Sequence, residues 1–161
     1  MFKKLLKILN IKKIIFLLIC FNFWGCSNLT EENYNTPEQL YNNAINSTKN
    51  KDFENALDLF ETLNEKFPYS KWSLNAEVML AWVYYEDNQY DLSIISSEKF
   101  IAKYPDHELI PYAYYLIALS YYERIIDVER DANFTLLAKN SFEELINKFP
   151  NSQYSKDAKL K

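Results

Sequence analysis

One apolar segment that ends in proline recurs three times in this chain and constrains its fold more than any other feature. In the first copy, residues 52–76, apolar residues spaced three and four apart lie on one face of a helix, and Pro68 ends that helix. The same ending returns at Pro105 and Pro150, and an alanine follows each of the three prolines by eight residues. The apolar face of the first copy comprises Phe53, Ala56, Leu57, Phe60, Leu63 and Phe67.

A second spacing gives the same repeat. Ala44, Ala81 and Ala118 are 37 and 37 residues apart, each within an apolar-periodic segment. The three prolines are 37 and then 45 residues apart, so the third unit contains eight additional residues. Comparison with the other units places this insert around Ile125–Phe134.

A helix pair that repeats at about 34 residues or slightly more, with a small residue at the helix crossing and a proline at the end, is the tetratricopeptide pattern. Its Phe and Ala positions hold, in the three units, Phe60 and Ala56, Ser97 and Ser93, and Phe142 and Ala138. We therefore predict an all-α, tetratricopeptide-like helical-hairpin solenoid with three helix pairs and the start of a fourth. The predicted helices span about 37–50, 52–67, 73–87, 89–104, 109–126 and 131–149, and a seventh begins near Ser152.

The first 25 residues differ from the rest of the chain. They contain five lysines and no acidic residue, and an apolar run follows from Ile14 to Trp24. This order is typical of a secretory signal peptide. The run is shorter than the span of about 20 residues that a membrane requires. An uncleaved anchor beginning at Leu5 is the alternative.

Residues 23–27, FWGCS, resemble a bacterial lipobox, in which a small residue precedes a cysteine that becomes lipidated. The two bulky rings depart from that pattern, and Cys20 fits it less well than Cys26. Cys26 is thus the expected lipid-attachment site, and several acyl chains would make the attachment effectively permanent. Ser27, rather than Asp, after the cysteine indicates the periplasmic face of the outer membrane. Residues 26–35 then form a polar tether to a repeat domain of residues 36–161.

Composition argues against several classes of function. Without residues 1–25 the chain has 13 basic and 22 acidic residues, a net charge of −9, so it lacks the basic surface that nucleic acid requires. Gly25 is the only glycine, which excludes glycine-rich phosphate loops from the rest of the sequence. The single histidine, His107, follows Pro105 and is expected to be a solvated turn residue rather than a metal ligand or a base. We expect no enzyme activity, metal or cofactor.

Three segments of the sequence resemble the BamD family, lipoproteins of the outer-membrane β-barrel assembly machinery. These segments are residues 53–90, 99–123 and 129–158. The motifs that carry the resemblance are Phe100-Ile101 before Tyr104-Pro105, Tyr112-Ala113-Tyr114-Tyr115, Glu129-Arg130-Asp131, and Phe149-Pro150-Asn151-Ser152 followed by Tyr154 and Asp157-Ala158. The resemblance implies a periplasmic helical lipoprotein that receives unfolded outer-membrane proteins and couples them to the barrel-forming subunit BamA.

The resemblance also implies more helix pairs than this sequence holds, since the chain reaches only into a fourth pair. The family's C-terminal pairs carry its main BamA contact, so this chain is expected to be an incomplete member. In a solenoid the terminal unit needs a cap. We therefore expect Phe142, Leu145 and Ile146 to be partly exposed beneath residues 152–161, and the third pair to fray.

A peptide-binding line is predicted along the first helix of each pair, where recurring tetratricopeptide positions face a concave groove. The projected residues are Tyr41, Ile45, Val78, Trp82, Tyr85, Tyr112, Tyr115, Leu119 and Tyr122. Alternatively, these rings fill the core between stacked helices, although Leu80, Tyr84 and Tyr121 already supply a packing stripe. An aromatic groove suits extended, aromatic-rich segments that await β-pairing.

Three functions from different classes follow from these patterns. The first is a receptor for unfolded outer-membrane proteins in β-barrel assembly. The second is another envelope tetratricopeptide lipoprotein that scaffolds peptidoglycan enzymes or pilus assembly. The third is an enzyme, which the composition disfavours. Co-purification of BamA-like barrels or of wall enzymes separates the first two.

Replacing Cys26 with serine should abolish lipid attachment, because serine has no thiol to acylate. We expect Cys26→Ser to lose metabolic acyl labelling and to leave the membrane fraction, whereas Cys20→Ser should keep both. Persistence of label and membrane association in Cys26→Ser would show that the anchor lies elsewhere.

Overall fold

Seven α-helices account for the regular structure in the computed structural model, which describes residues 36–127 and 132–161. They are α1 (Pro37–Lys49), α2 (Phe53–Lys66), α3 (Lys71–Glu86), α4 (Tyr90–Lys103), α5 (Ile110–Asp127), α6 (Ala132–Lys148) and α7 (Gln153–Ala158). These described stretches contain no strand, and the predicted all-α repeat fold is confirmed. The signal segment, Cys26, the tether and the Glu129-Arg130-Asp131 motif lie outside the described residues.

The aromatic residue before each repeat proline ends a helix in the same way. Its N–H donates to the carbonyl four residues earlier at 2.9 Å, and its own carbonyl accepts a 3.0 Å hydrogen bond from the N–H three residues later. The proline between them has no N–H to satisfy. The three donor–acceptor turns are Phe67 to Ser70, Tyr104 to His107, and Phe149 to Ser152.

The residue two positions after each proline precedes the next helix and accepts a backbone N–H with its side chain. The hydroxyls of Ser70 and Ser152 each accept the N–H of the residue three further on at 3.0 Å, which is an N-cap. His107 occupies the same position, and its Nδ1 accepts the N–H of Leu109 at 3.2 Å. The His107 ring also lies edge-on to Phe100, with centroids 5.2 Å apart. His107 is a turn residue, as predicted, but it is half-buried rather than fully solvated.

The turns inside the first two helix pairs use left-handed residues without glycine. Lys51 has φ 63° and Asn88 has φ 59°, and they lie 37 residues apart. The next N–H, from Asp52 or Gln89, reaches the carbonyl five residues earlier at 2.9 and 2.8 Å. This is the Schellman arrangement, in which glycine is the usual left-handed residue. Asparagine tolerates that conformation, whereas lysine is strained by its Cβ.

The insert in the third unit lengthens both of its helices. α5 ends 22 residues after Pro105, whereas α3 ends 18 residues after Pro68. α6 begins 18 residues before Pro150, whereas α4 begins 15 residues before Pro105. α5 has 18 residues where α3 has 16, and α6 has 17 where α4 has 14, so the helices are longer by about half a turn and nearly one turn. Residues 128–131, which join them, are outside the described part of the chain.

The helices form two layers. Consecutive helices pack together, and α1, α3, α5 and α7 also pack side by side. Among the helices described, α2, α4 and α6 do not contact one another. Such a stack curves toward its closely spaced layer. We call the outer surface of the odd-numbered helices the concave face and that of the even-numbered helices the convex face.

The core lies where the helices of each pair cross. Ala44, Ala81 and Ala118 are fully buried, which lets the helix backbones approach closely, as the repeat spacing predicted. Phe60 and Phe100 are the largest fully buried side chains. Burial of each ring contributes roughly 1.5–3 kcal/mol relative to leaving it exposed.

The short helix α7 covers the third pair more completely than expected. Phe142 is 7% exposed and Leu145 is fully buried, so the prediction that both lie partly bare is wrong. Ala158 packs against them, and the Ser155 hydroxyl donates to the carbonyls of Phe149 at 2.6 Å and Leu145 at 3.3 Å. Two backbone acceptors and one small apolar side chain therefore let six helical residues cap α6.

Three serines on α4 and α5 are buried without a hydrogen-bond partner. The hydroxyls of Ser93 and Ser97 on α4 and Ser120 on α5 make no hydrogen bond, and all three residues are fully buried. Ser97 and Ser93 stand where the repeat pattern has Phe and Ala. An unsatisfied buried hydroxyl loses its hydration without compensation. Each of these two helices therefore carries a local defect.

Replacing Ser93, Ser97 and Ser120 with alanine should stabilise the protein, because the change removes an unpaired polar atom with little loss of volume. We expect about 0.5–1 kcal/mol per site, seen as a higher urea midpoint with an unchanged m-value. Ser155→Ala is the matched control and should destabilise by about 1 kcal/mol, since its hydroxyl has two carbonyl partners. If all four substitutions shifted the urea midpoint in the same direction, the distinction between the three unpaired hydroxyls and that of Ser155 would be wrong.

Lys51→Gly should also stabilise the protein. Relief of left-handed strain is worth about 1–2 kcal/mol and exceeds the added backbone entropy of glycine, about 0.5–1 kcal/mol. The same substitution in the exposed interior of α4, Lys99→Gly, should lower stability by about 1 kcal/mol. Thermal unfolding of both variants checks the opposite signs.

Candidate functional site

The concave face carries a row of aromatic side chains from four helices. Most predicted line residues are half-buried there, with part of each side chain open to solvent. They are Tyr41 and Ile45 on α1, Trp82 and Tyr85 on α3, and Tyr112, Tyr115 and Tyr122 on α5. The structure therefore brings most of the predicted residues to one surface.

Val78 and Leu119 do not belong to this surface. Val78 is fully buried against Phe100, Ile110 and Ala113, and Leu119 is 8% exposed in the cluster around Phe142. Both were predicted to contact peptide, and that assignment is wrong because neighbouring helices cover them. Their side chains instead hold α3 and α5 in place.

Ring contacts join the aromatic row between odd-numbered helices, from α1 to α3 and from α5 to α7. On α1, the Tyr41 ring lies 5.0 Å from Trp72 of α3. On α5, Tyr112 and Tyr115 lie 5.1 and 5.5 Å from Tyr154 of α7. Contacts of this kind are worth about 0.5–1.5 kcal/mol beyond area burial. These rings therefore pack between helices on one side and keep surface open to solvent on the other, so they contribute to the core, and the peptide-binding groove stays a prediction.

The sequence reading missed Trp72 and Tyr154. Each lies four residues after its repeat proline, in the first turn of an odd-numbered helix. Leu109 holds the equivalent position four residues after the second repeat proline, Pro105. This recurrence is the signal that would have identified them. Each ring bridges the preceding odd-numbered helix to its own.

Carboxylates alternate with the rings. Glu86 accepts from the Trp82 indole Nε1 at 2.9 Å, and Glu123 accepts from the Tyr85 hydroxyl at 3.3 Å. Glu86 and Glu123 are 37 residues apart and so hold the same repeat position. The Tyr115 hydroxyl likewise donates to Asp157 of α7. Each half-buried ring thereby satisfies its polar atom while its apolar body stays accessible.

Three phenols of this surface, those of Tyr85, Tyr112 and Tyr115, have a raised pKa and stay protonated throughout the physiological pH range. Burial raises the pKa of Tyr112 above its usual range, and neighbouring Tyr154, Glu86, Tyr41 and Tyr85 raise it further. Burial raises the pKa of Tyr85, with Glu123 as the next cause. In Tyr115, burial and then the hydrogen bond to Asp157 act in the same direction. The rings are therefore uncharged hydrogen-bond donors.

Within residues 36–127 and 132–161, no three His, Cys, Asp or Glu side chains converge as a metal site would require. In the same residues, no helix combines the length and the apolar character needed to cross a bilayer. The concave face offers rings, hydroxyls and carboxylates to a ligand.

Comparison with known proteins agrees with the repeat analysis. The model of the YfiO family, described as an outer membrane lipoprotein, matches residues 33–161. A Rickettsia prowazekii protein is 38% identical over 122 residues, which cover 76% of this chain and 49% of the relative. A Caulobacter vibrioides protein is 34% identical over 124 residues, which cover 77% and 41%. A Neisseria gonorrhoeae protein is 30% identical over 131 residues, which cover 75% and 49%.

All three relatives are named outer membrane protein assembly factor BamD. The chain spans about half the length, or less, of these curated relatives. The family match covers every helix described above. The chain therefore belongs to the YfiO family of outer membrane lipoproteins, the BamD-like family that its repeats and motifs predicted.

Proposed function

We propose that this protein acts in outer-membrane protein assembly, where it receives unfolded outer-membrane proteins before their insertion. The observation that supports this most strongly is the family match over residues 33–161, together with relatives named as assembly factors. Those names describe assembly factors rather than enzymes. A scaffold for peptidoglycan or pilus assembly has no comparable support.

The concave face is the proposed receiving surface. A membrane β-strand alternates apolar and polar side chains and carries aromatic residues near its ends. In an extended segment, one set of side chains can lie against the exposed faces of Trp82, Tyr85 and Tyr115. The alternate set then meets solvent and the carboxylates of Glu86 and Glu123. Because the rings are already held by neighbouring helices, little side-chain entropy is lost on binding.

Attachment through Cys26 is the proposed means of localisation at the periplasmic face of the outer membrane. Ten residues, 26–35, precede the first described residue, Thr36. Fully extended, they reach at most about 35 Å. The lipid would thus keep the repeat domain close to the bilayer in which barrels are inserted.

A BamA-like barrel subunit is the proposed partner, as expected for a member of this assembly machinery. If so, the two proteins co-purify after crosslinking in membranes, and peptidoglycan enzymes do not. Enrichment of wall enzymes without a BamA-like barrel would contradict the assembly role. This result does not depend on whether the concave face has been correctly assigned.

Trp82→Ala should weaken binding of the C-terminal peptide of an outer-membrane barrel protein. Truncation of a central aromatic anchor costs about 2 kcal/mol or more, which is roughly a thirtyfold loss of affinity. Titration by fluorescence anisotropy measures the change, and circular dichroism checks that helicity is retained.

Tyr69→Ala is the matched control, because Tyr69 is fully exposed in the first repeat turn, outside the helices of the concave face. It should bind the peptide as wild type does. Equal affinities of well-folded Trp82→Ala and wild type would remove Trp82 from the site.

A further inference from the structure

The convex face contains two grooves at corresponding places in the repeat. Each groove lies between two even-numbered helices that do not touch, and an odd-numbered helix forms its floor. The first groove, between α2 and α4 over α3, has a volume of about 240 Å³. The second groove, between α4 and α6 over α5, has a volume of about 370 Å³.

Polar side chains fill the first groove. Glu77, on its floor, accepts hydrogen bonds from Lys103 Nζ and from the Tyr104 hydroxyl, both at 2.7 Å. Asn64 and Lys99 add polar groups to its walls. The acid on the floor of this groove is thus paired by Lys103 and accepts a hydrogen bond from Tyr104.

Apolar side chains dominate the second groove. Tyr114, Ile117 and Tyr121 form its floor, and Ile101 and Leu137 contribute to its walls. All five are half-buried, so each retains surface that solvent can reach. The remaining lining residues are Glu98, Ala102, Asn140, Ser141 and Glu144.

Equivalent repeat positions show that this difference is substantial. Thirty-seven residues after Glu77 and Asn64 stand Tyr114 and Ile101, so a half-buried acid and an amide are replaced by a tyrosine and an isoleucine. Lys148 stands two residues before its proline, as Lys103 does, and donates to the Tyr114 hydroxyl at 2.7 Å. Glu144 lies six residues before its repeat proline, as Lys99 does, which reverses the charge. Both grooves therefore have a lysine contact on the floor, but the second lacks the acid and the amide of the first and has tyrosine and isoleucine in their place.

Two exposed large apolar residues lie on the helices that form the walls of the second groove. Ile95 on α4 is 58% exposed, and Leu136 on α6 is 55% exposed. Ile95 lies three residues before Glu98 and Leu136 lies four before Asn140, so each shares a helix face with a lining residue. Contiguous exposed apolar surface with a polar rim is typical of an interaction site.

The rim of this groove is acidic. Glu98 has no cation within ion-pair distance among the residues described, and Glu144 pairs with Lys148 at 2.8 Å. One carboxylate therefore remains uncompensated beside an apolar surface. A ligand with basic flanks would supply the missing charge.

We propose that the second groove docks an amphipathic helical segment of a partner protein, with aliphatic side chains over Ile117 and Tyr121 and lysine or arginine beside Glu98 and Glu144. A second copy of this acidic chain fits less well, because its net charge beyond residue 25 is −9. This site lies on the face opposite the proposed receiving surface and does not depend on that assignment.

The test uses purified full chain and two fluorescently labelled amphipathic peptides. Both peptides carry leucine at every third or fourth position, one with flanking lysines and the other with glutamates in their place. The lysine peptide should bind, and its affinity should fall as salt is raised. Ile95→Glu and Leu136→Glu should each weaken it about tenfold or more, since they place a charge against its apolar face.

Leu92→Glu is the matched control. Leu92 is an exposed apolar residue of the same helix, 41% exposed, but it shares a face with Ser96 of the first groove. It should leave binding unchanged. The double variant Glu98→Lys with Glu144→Lys should shift preference toward the glutamate peptide by about fivefold.

Several outcomes would overturn the proposal. Among them are no binding of the lysine peptide, equal binding of both peptides by wild type, or an equal loss in Leu92→Glu and Ile95→Glu. Light scattering provides a further outcome. Self-association that Leu136→Glu abolishes would assign the groove to a second copy of the chain instead.

Discussion

The turn around each repeat proline determines how the rest of this structure is arranged. An aromatic residue ends one helix, its carbonyl accepts the N–H three residues later, and a serine or histidine then starts the next helix. Because proline cannot donate a hydrogen bond or continue the helix, the chain must change direction at the same point in every unit. Three nearly identical turns therefore set the angle between successive helix pairs, and this angle brings the odd-numbered helices side by side.

The two faces of the protein differ because of that arrangement. Odd-numbered helices contact one another, so their aromatic residues meet across repeats, as Tyr41 meets Trp72 and Tyr112 meets Tyr154. Even-numbered helices do not contact one another in the described region, and the gaps between them become grooves whose character depends on local sequence. One stacking geometry thus produces a continuous aromatic surface on one side and separate grooves on the other.

Equivalent positions in the repeat do not have equivalent environments. Val78 and Tyr115 each lie ten residues after a repeat proline, yet Val78 is fully buried and Tyr115 remains partly open. The cause is the covering helix: α5 packs over Val78 through Ile110 and Ala113, whereas α7 is short and contacts Tyr115 only through Tyr154 and Asp157. The repeat pattern could therefore predict the helix face on which a residue lies but not its exposure.

The sequence by itself determined the period, the helices, the turns and the family, because proline, apolar spacing and small crossing residues act locally and can be read in order along the chain. Only the tertiary structure decided which side chains remain accessible. It buried Val78 and Leu119, added Trp72 and Tyr154 to the aromatic row, and covered Phe142 and Leu145 with α7. The physical reason is that burial depends on the neighbouring helix that lies over a residue, and that neighbour is set by packing between units.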